Sequence, residues 1–126
     1  MLDRGLTEAM QTLAALSPVP VVVTVELPRR PAPAIETIAY FCASELVTNV
    51  ARHSGARRAT VDIAERDGAV ELRVSDDGIG GAGVAAQGGT GLSGLADRVR
   101  TVDGTLSVSS PSGGPTVVKV RLPWHA

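Results

Sequence analysis

The stretch VSDDGIGG, Val74 to Gly81, ends a strand-like run in two carboxylates and then opens into glycines, with GTGLSGL, Gly89 to Leu95, close behind. Read backward from Asp76, the segment from Ala69 alternates. Val70, Leu72, Val74 and Asp76 share one face, and Glu71, Arg73 and Ser75 share the other. Asp76 therefore falls on the apolar face, where a carboxylate is costly unless hydrogen bonds reach it. Two readings stand: a turn or cap residue, since Asp before Gly is ordinary turn chemistry, or a pocket carboxylate that accepts a hydrogen bond from a ligand amine. The same parity puts Thr116 in register with Val118, Val120 and Leu122, with Lys119 and Arg121 opposite. An inward threonine is commonly a satisfied core hydroxyl. Two inward polar groups at the ends of strands flanking a glycine-rich loop can instead line one mouth.

Working outward, Arg58 to Glu65 and Ala69 to Asp76 read as strands of a hairpin joined by Arg66, Asp67 and Gly68. Upstream, Leu6, Ala9, Met10 and Leu13 recur with helical spacing between Leu2 and Leu16, and SPVP stops that helix. Val19 to Leu27 is a β-branched strand. Pro31 and Pro33 suit the start of a helix that runs to about His53. Downstream, residues 77–91 are glycine-rich loop, Leu92, Leu95, Val99 and Val102 mark a helix, and strands follow at Thr105 to Ser109 and Thr116 to Leu122. This order predicts a mixed sheet with helices on one face.

In the helix ending near His53, Ile35, Ala39, Ala43, Leu46, Val47 and Val50 form the apolar stripe. Glu45, Asn49 and Arg52 fall on a neighbouring arc, with His53 at its edge. Such a row is usually a solvated face. The residue types also admit chemistry: an amide oxygen suits Mg2+, a carboxylate can orient water or act as a base, and a guanidinium pairs with phosphate.

GIGGAG (Gly78 to Gly83) and GTGLSG (Gly89 to Gly94) both fit G-x-G-x-x-G, but neither has the strand–turn–helix context and following acid of a dinucleotide fold. No GK[ST] occurs, and Gly78 and Gln87 spoil an EF-hand reading from Asp76. What remains is a glycine-hinged loop closing onto a helix whose first turn, around Thr90 to Ser93, offers amides and a positive dipole end suited to phosphate. A merely flexible surface loop is the alternative.

Composition limits the remaining choices. The chain has 126 residues, 44% of them hydrophobic and 20% charged, with a net charge of −1. That suits one globular domain and gives no basic surface for nucleic acid. The single cysteine, Cys42, excludes an internal disulfide and fits a reducing compartment. No apolar run reaches membrane-spanning length, and the charged, amphipathic start does not read as a signal peptide.

Taken in order, ELVTNVARHS (Glu45 to Ser54), VSDDGIGG, GTGLSGLADRVR (Gly89 to Arg100) and GGPTVVKVRLP (Gly113 to Pro123) resemble the ATP-binding catalytic domain of sensor histidine kinases. This is the GHKL, or Bergerat, ATPase superfamily, and the likeness is greatest to kinases paired with helix-turn-helix response regulators. The resemblance implies an α+β fold: a two-layer α/β sandwich whose mixed, mostly antiparallel sheet carries helices on one face and a glycine-rich ATP lid. Residues 17–126 would form the ATP-binding domain, and the helix within 1–16 the junction to a dimerisation hairpin.

The resemblance further implies ATP and Mg2+ as cofactors, with Asn49 as metal ligand and Arg52 and His53 near phosphate. Asp76 would accept the adenine amino group, supported by Thr116. Gly78 and Gly80 would allow close approach of base and ribose, and Gly89, Thr90, Gly91 and Leu92 would begin the phosphate-contacting helix. Glu45 occupies the position of the water-activating base in hydrolytic relatives. The implied partners are ATP or ADP, the parent protein's dimerisation and histidine phosphotransfer domain, and a response regulator, without nucleic acid. The implied location is cytoplasmic, with membrane anchoring of the parent open. His53 and His125 are the only histidines and neither sits in a phosphoacceptor pattern, so the expectation is an excised catalytic domain acting on a histidine elsewhere. An anti-sigma-factor serine kinase of the same fold and a degenerate nucleotide-binding interaction module remain as alternatives.

Overall fold

The computed structural model describes residues 5–53, 57–78, 91–109 and 115–125. In chain order the elements are α1 (Leu6–Leu16), β1 (Val21–Glu26), α2 (Pro33–His53), β2 (Ala59–Arg66), β3 (Ala69–Asp76), α3 (Gly91–Arg100), β4 (Thr105–Ser109) and β5 (Thr116–Leu122). The five strands form one sheet in the order β1-β2-β3-β5-β4. β1 and β2 run parallel, joined by the α2 crossover, and every other pairing is antiparallel. The helices pack on one side of this sheet, α1 over β1, α2 over β2, β3 and β5, and α3 over β4. The result is the expected α+β two-layer sandwich.

The periodicities explain the layers. β3 and β5 point Val70, Leu72, Val74, Val118, Val120 and Leu122 into the core, where they meet Ile35, Ala39, Ala43, Leu46 and Val47 of the α2 stripe, and Val50 is buried at its end. Leu95 and Val99 of α3 and Leu6 and Met10 of α1 enter the same cluster. Cys42 is buried there as a free thiol, and burial pushes its pKa up to about 11.

The β2–β3 turn is tighter than the three residues expected. Only Asp67 and Gly68 lie between paired Arg66 and Ala69, and both have positive φ, at 52° and 79°. This is the two-residue turn whose twist suits a hairpin. It moves the end of β2 to Arg66 and fixes which residues face each other at the far end of the hairpin.

Candidate functional site

The far end of that hairpin is where β3 stops. Asp76, its last residue, is paired with Ala59 at the start of β2 and with Thr116 at the start of β5. Asp76 and Thr116 are each only 5% exposed, and Ala59 is buried beside them. The two inward polar residues singled out in the sequence are thus direct cross-strand neighbours on the core face. Gly78 donates its backbone N–H to Asp76 Oδ1 at 2.7 Å. Burial raises the pKa of Asp76 above the ordinary carboxylate value, the Gly78 amide opposes that shift, and the neighbouring Asp77 charge adds to it.

Asp77 answers a different need. Its side chain is exposed, and Oδ1 accepts the backbone N–H groups of Arg57 at 2.8 Å and Arg58 at 3.1 Å. Its own N–H reaches Arg58 O at 3.4 Å, one step beyond the last ladder pair. The amides of Arg58 and then Arg57 hold its pKa below the ordinary carboxylate value. The two consecutive carboxylates therefore do unlike things: one is presented inward and the other ties down the chain that leads into β2.

That chain comes from α2. The helix runs out at His53, and β2 begins at Ala59, opposite Asp76. Arg57 lies four residues past His53, within a reach of about 14 Å of extended chain. The last turn of α2 therefore arrives at the same edge of the sheet as Asp76 and Thr116. Glu45 and Asn49 are half-buried on α2 and Arg52 is exposed in its last turn, beside the buried stripe as their arc predicts. His53 ends the helix, and its side chain lies outside the described residues, as does that of Leu92, which with Gly91 opens α3. Gly80, Gly89, Thr90 and the whole of the expected lid, residues 81–90, also lie outside the described residues.

Among the described residues no group of three or more His, Cys, Asp or Glu side chains forms a metal cage. A single amide at Asn49 suits an ion that takes most of its ligands from phosphate oxygens and water, as Mg2+ does. The buried carboxylate beside a hydroxyl suits an amino-bearing heterocycle, since both can accept hydrogen bonds inside an apolar wall. Ala59 and Asp77 were not singled out as site residues. Counting back from a two-residue turn would have placed Ala59 opposite Asp76, whereas nothing in the spacing marks the Arg57 and Arg58 amides as partners of Asp77.

Comparison with known proteins shows the family. Residues 35–126 match the family described as Histidine kinase-, DNA gyrase B-, and HSP90-like ATPase. Sensor histidine kinase NarS of Mycobacterium tuberculosis is 36% identical over 129 residues, which cover 94% of this chain and 29% of that protein. Sensor histidine kinase YvfT of Bacillus subtilis is 33% identical over 91 residues, covering 72% of this chain and 24% of that protein. The chain thus spans less than a third of the length of these relatives. In fold it is similar to the histidine kinase domain of the Erythrobacter litoralis EL346 blue-light activated histidine kinase, with a TM-score of 0.65 at 20% identity over 98% of this chain and 63% of that one. Among the described residues no helix is long and apolar enough to cross a membrane. With the family match covering well over half of its length, the chain belongs to the histidine kinase-, DNA gyrase B- and HSP90-like ATPases.

Proposed function

We propose that this chain is the ATP-binding catalytic domain of a two-component sensor histidine kinase, which transfers the γ-phosphoryl group of Mg·ATP to a histidine on a separate dimerisation domain. The observation that carries the reading is the buried pair Asp76 and Thr116, facing each other across adjacent strands where the glycine-rich segment begins. In this reading Asp76 accepts the adenine amino group and Thr116 supports it, while Gly78 and Gly80 leave room for base and ribose. Asn49 would hold Mg2+, which neutralises charge on the phosphates when bound. Arg52 and His53 would serve the phosphates, and Gly89, Thr90, Gly91 and Leu92 would supply amides leading into α3. Catalysis would then rest on positioning and charge stabilisation, with Glu45 beside Asn49 orienting the acceptor or accepting its proton. The curated relatives named above are sensor kinases, which favours this reading over an anti-sigma-factor kinase or a degenerate module. The junction role of residues 1–16, the response regulator and a cytoplasmic location belong to the same proposal.

The test is calorimetric titration of the chain with ADP and a non-hydrolysable ATP analogue, with and without Mg2+, alongside Asp76→Asn. Binding selective for adenine over guanine, weakened roughly 10- to 100-fold in folded Asp76→Asn, supports the pocket; that range corresponds to losing a hydrogen bond to a charged group. A folded wild-type chain that binds neither nucleotide rejects it. Phosphotransfer is tested separately, by adding a histidine-bearing dimerisation domain from a relative together with labelled ATP.

A further inference from the structure

The paired ladder between β2 and β3 ends at Ala59 and Asp76, so the residue proposed to read adenine is also the last one the ladder holds. Strand ends fray unless something closes them. Here the closing backbone bond, from Asp77 N–H to Arg58 O, is long at 3.4 Å. The two bonds to the Asp77 carboxylate, at 2.8 and 3.1 Å, are shorter and charge-assisted. Beyond the last ladder pair, a side chain thus supplies shorter bonds between the two strands than the backbone does.

We infer that Asp77 is a positioning residue for the nucleotide pocket: by gripping the Arg57 and Arg58 amides it fastens the start of β2 to the end of β3 and so fixes the bearing of the Asp76 carboxylate. This rests on the proposed reading of Asp76 as the adenine acceptor. Asp76 is then constrained on every side that the structure describes: by Ala59 and Thr116 across the two ladders, by Gly78 N–H on its Oδ1, and by the Asp77 grip immediately after it. Loss of the grip leaves residues 57 and 58 tied to the end of β3 by the long Asp77 N–H to Arg58 O bond alone, and loosens the Asp77–Gly78 peptide whose amide orients Asp76. An acceptor that must find its orientation on binding loses affinity relative to one already held there.

The test combines amide exchange, read residue by residue by NMR, with ADP calorimetry on wild type, Asp77→Ala and Asp77→Asn. In folded Asp77→Ala the Arg57, Arg58 and Gly78 amides should all exchange faster, and ADP affinity should fall about tenfold, the scale of one hydrogen bond to a charged group. Asp77→Asn keeps an acceptor oxygen and should restore Gly78 protection and most of the affinity. If only Arg57 and Arg58 exchange faster while Gly78 and ADP affinity match wild type, Asp77 merely trims a strand end and the inference is wrong. Should wild type bind no ADP, the adenine reading fails, and Gly78 exchange alone still decides whether Asp77 orients Asp76. Asp77→Ser, a weaker acceptor, replaces the alanine variant if that does not fold, with the same Gly78 criterion.

Discussion

Asp76 and Asp77 are adjacent carboxylates whose titrations pull in opposite directions. Burial raises the pKa of Asp76, so the folded protein binds that proton more tightly than the unfolded chain does. Its contribution to stability is full below the unfolded pKa and is lost as pH rises through the folded one. A neutral amide escapes that loss. Asp76→Asn should therefore melt at or above the wild-type temperature at neutral pH, with the gap closing as acid protonates the wild-type carboxyl, even though its nucleotide binding is impaired. A variant that melts well below wild type at neutral pH would mean that the ionised form is fully compensated in the fold. Asp77 has the reverse sign: its pKa is lowered by the Arg58 and Arg57 amides, so its contribution is present above the unfolded pKa and disappears as pH falls through the folded value. Asp77→Ala should accordingly be less stable than wild type at neutral pH and converge with it in strong acid. Thermal melts across pH read both slopes. Strand parity made the inward bearing of Asp76 legible in the sequence, whereas the role of Asp77 depends on backbone amides, which carry no residue code.

Where α3 ends, the chain closes with two hydrogen bonds, Gly104 N–H to Val99 O at 2.9 Å and Asp103 N–H to Arg100 O at 3.1 Å. This is the Schellman pattern, but the left-handed position, with φ 62°, is taken by Asp103 rather than by glycine. Gly104 is there for space: a Cβ would stand 2.6 Å from both Arg121 O and Val99 Cγ1. Gly68 in the hairpin turn is the converse, with φ 79° and nothing within 4 Å of an added Cβ. Gly104→Ala should therefore cost about 1–3 kcal/mol, as overpacking does, and Gly68→Ala about 1–2 kcal/mol, from backbone strain alone. Asp103→Gly should be neutral or stabilise by up to about 1 kcal/mol, since glycine accepts that φ freely. Denaturant midpoints measure all three, and a Gly104→Ala variant as stable as wild type would show that the β5 end can shift. The α2 stripe and the hairpin were legible because their periods are unbroken. Glu36 was not: it reads as an ordinary acid in a first helical turn, yet it is 3% exposed and held by Arg30 through Nε at 3.1 Å and Nη2 at 2.7 Å. Glu71 likewise sits on the outer face by parity but is buried under Arg66 and Arg73. Long side chains folding over a sheet face obey no spacing rule.

The whole domain shares one core, and α1 is part of it. The resemblance to sensor kinases set residues 1–16 apart as a junction, with SPVP stopping their helix, and the family match covers residues 35–126. In the structure Leu6 and Met10 are buried with the α2, β2 and β3 side chains, and α1 lies against both β1 and α2. β1 is one of the two edge strands, paired among the described residues with β2 alone, so α1 also covers one side of a sheet edge. Met10 is 0% exposed. Removing its side chain leaves a cavity among neighbours that cannot fully collapse, at a cost of about 2–5 kcal/mol. That is a large share of the roughly 5–15 kcal/mol by which a domain of this kind is stable. Met10→Ala should thus lower the denaturation midpoint markedly, and deletion of residues 1–16 should lower it further while exposing β1. Saturating ADP would recover part of the loss by mass action, about 2.7 kcal/mol at a hundredfold excess over its dissociation constant, if the pocket edge at Asp76 remains folded in the variant. A Met10→Ala chain with a wild-type midpoint would make α1 a passive tether. A lowered midpoint with ADP affinity retained would instead make it a brace for the sheet at the edge remote from β4.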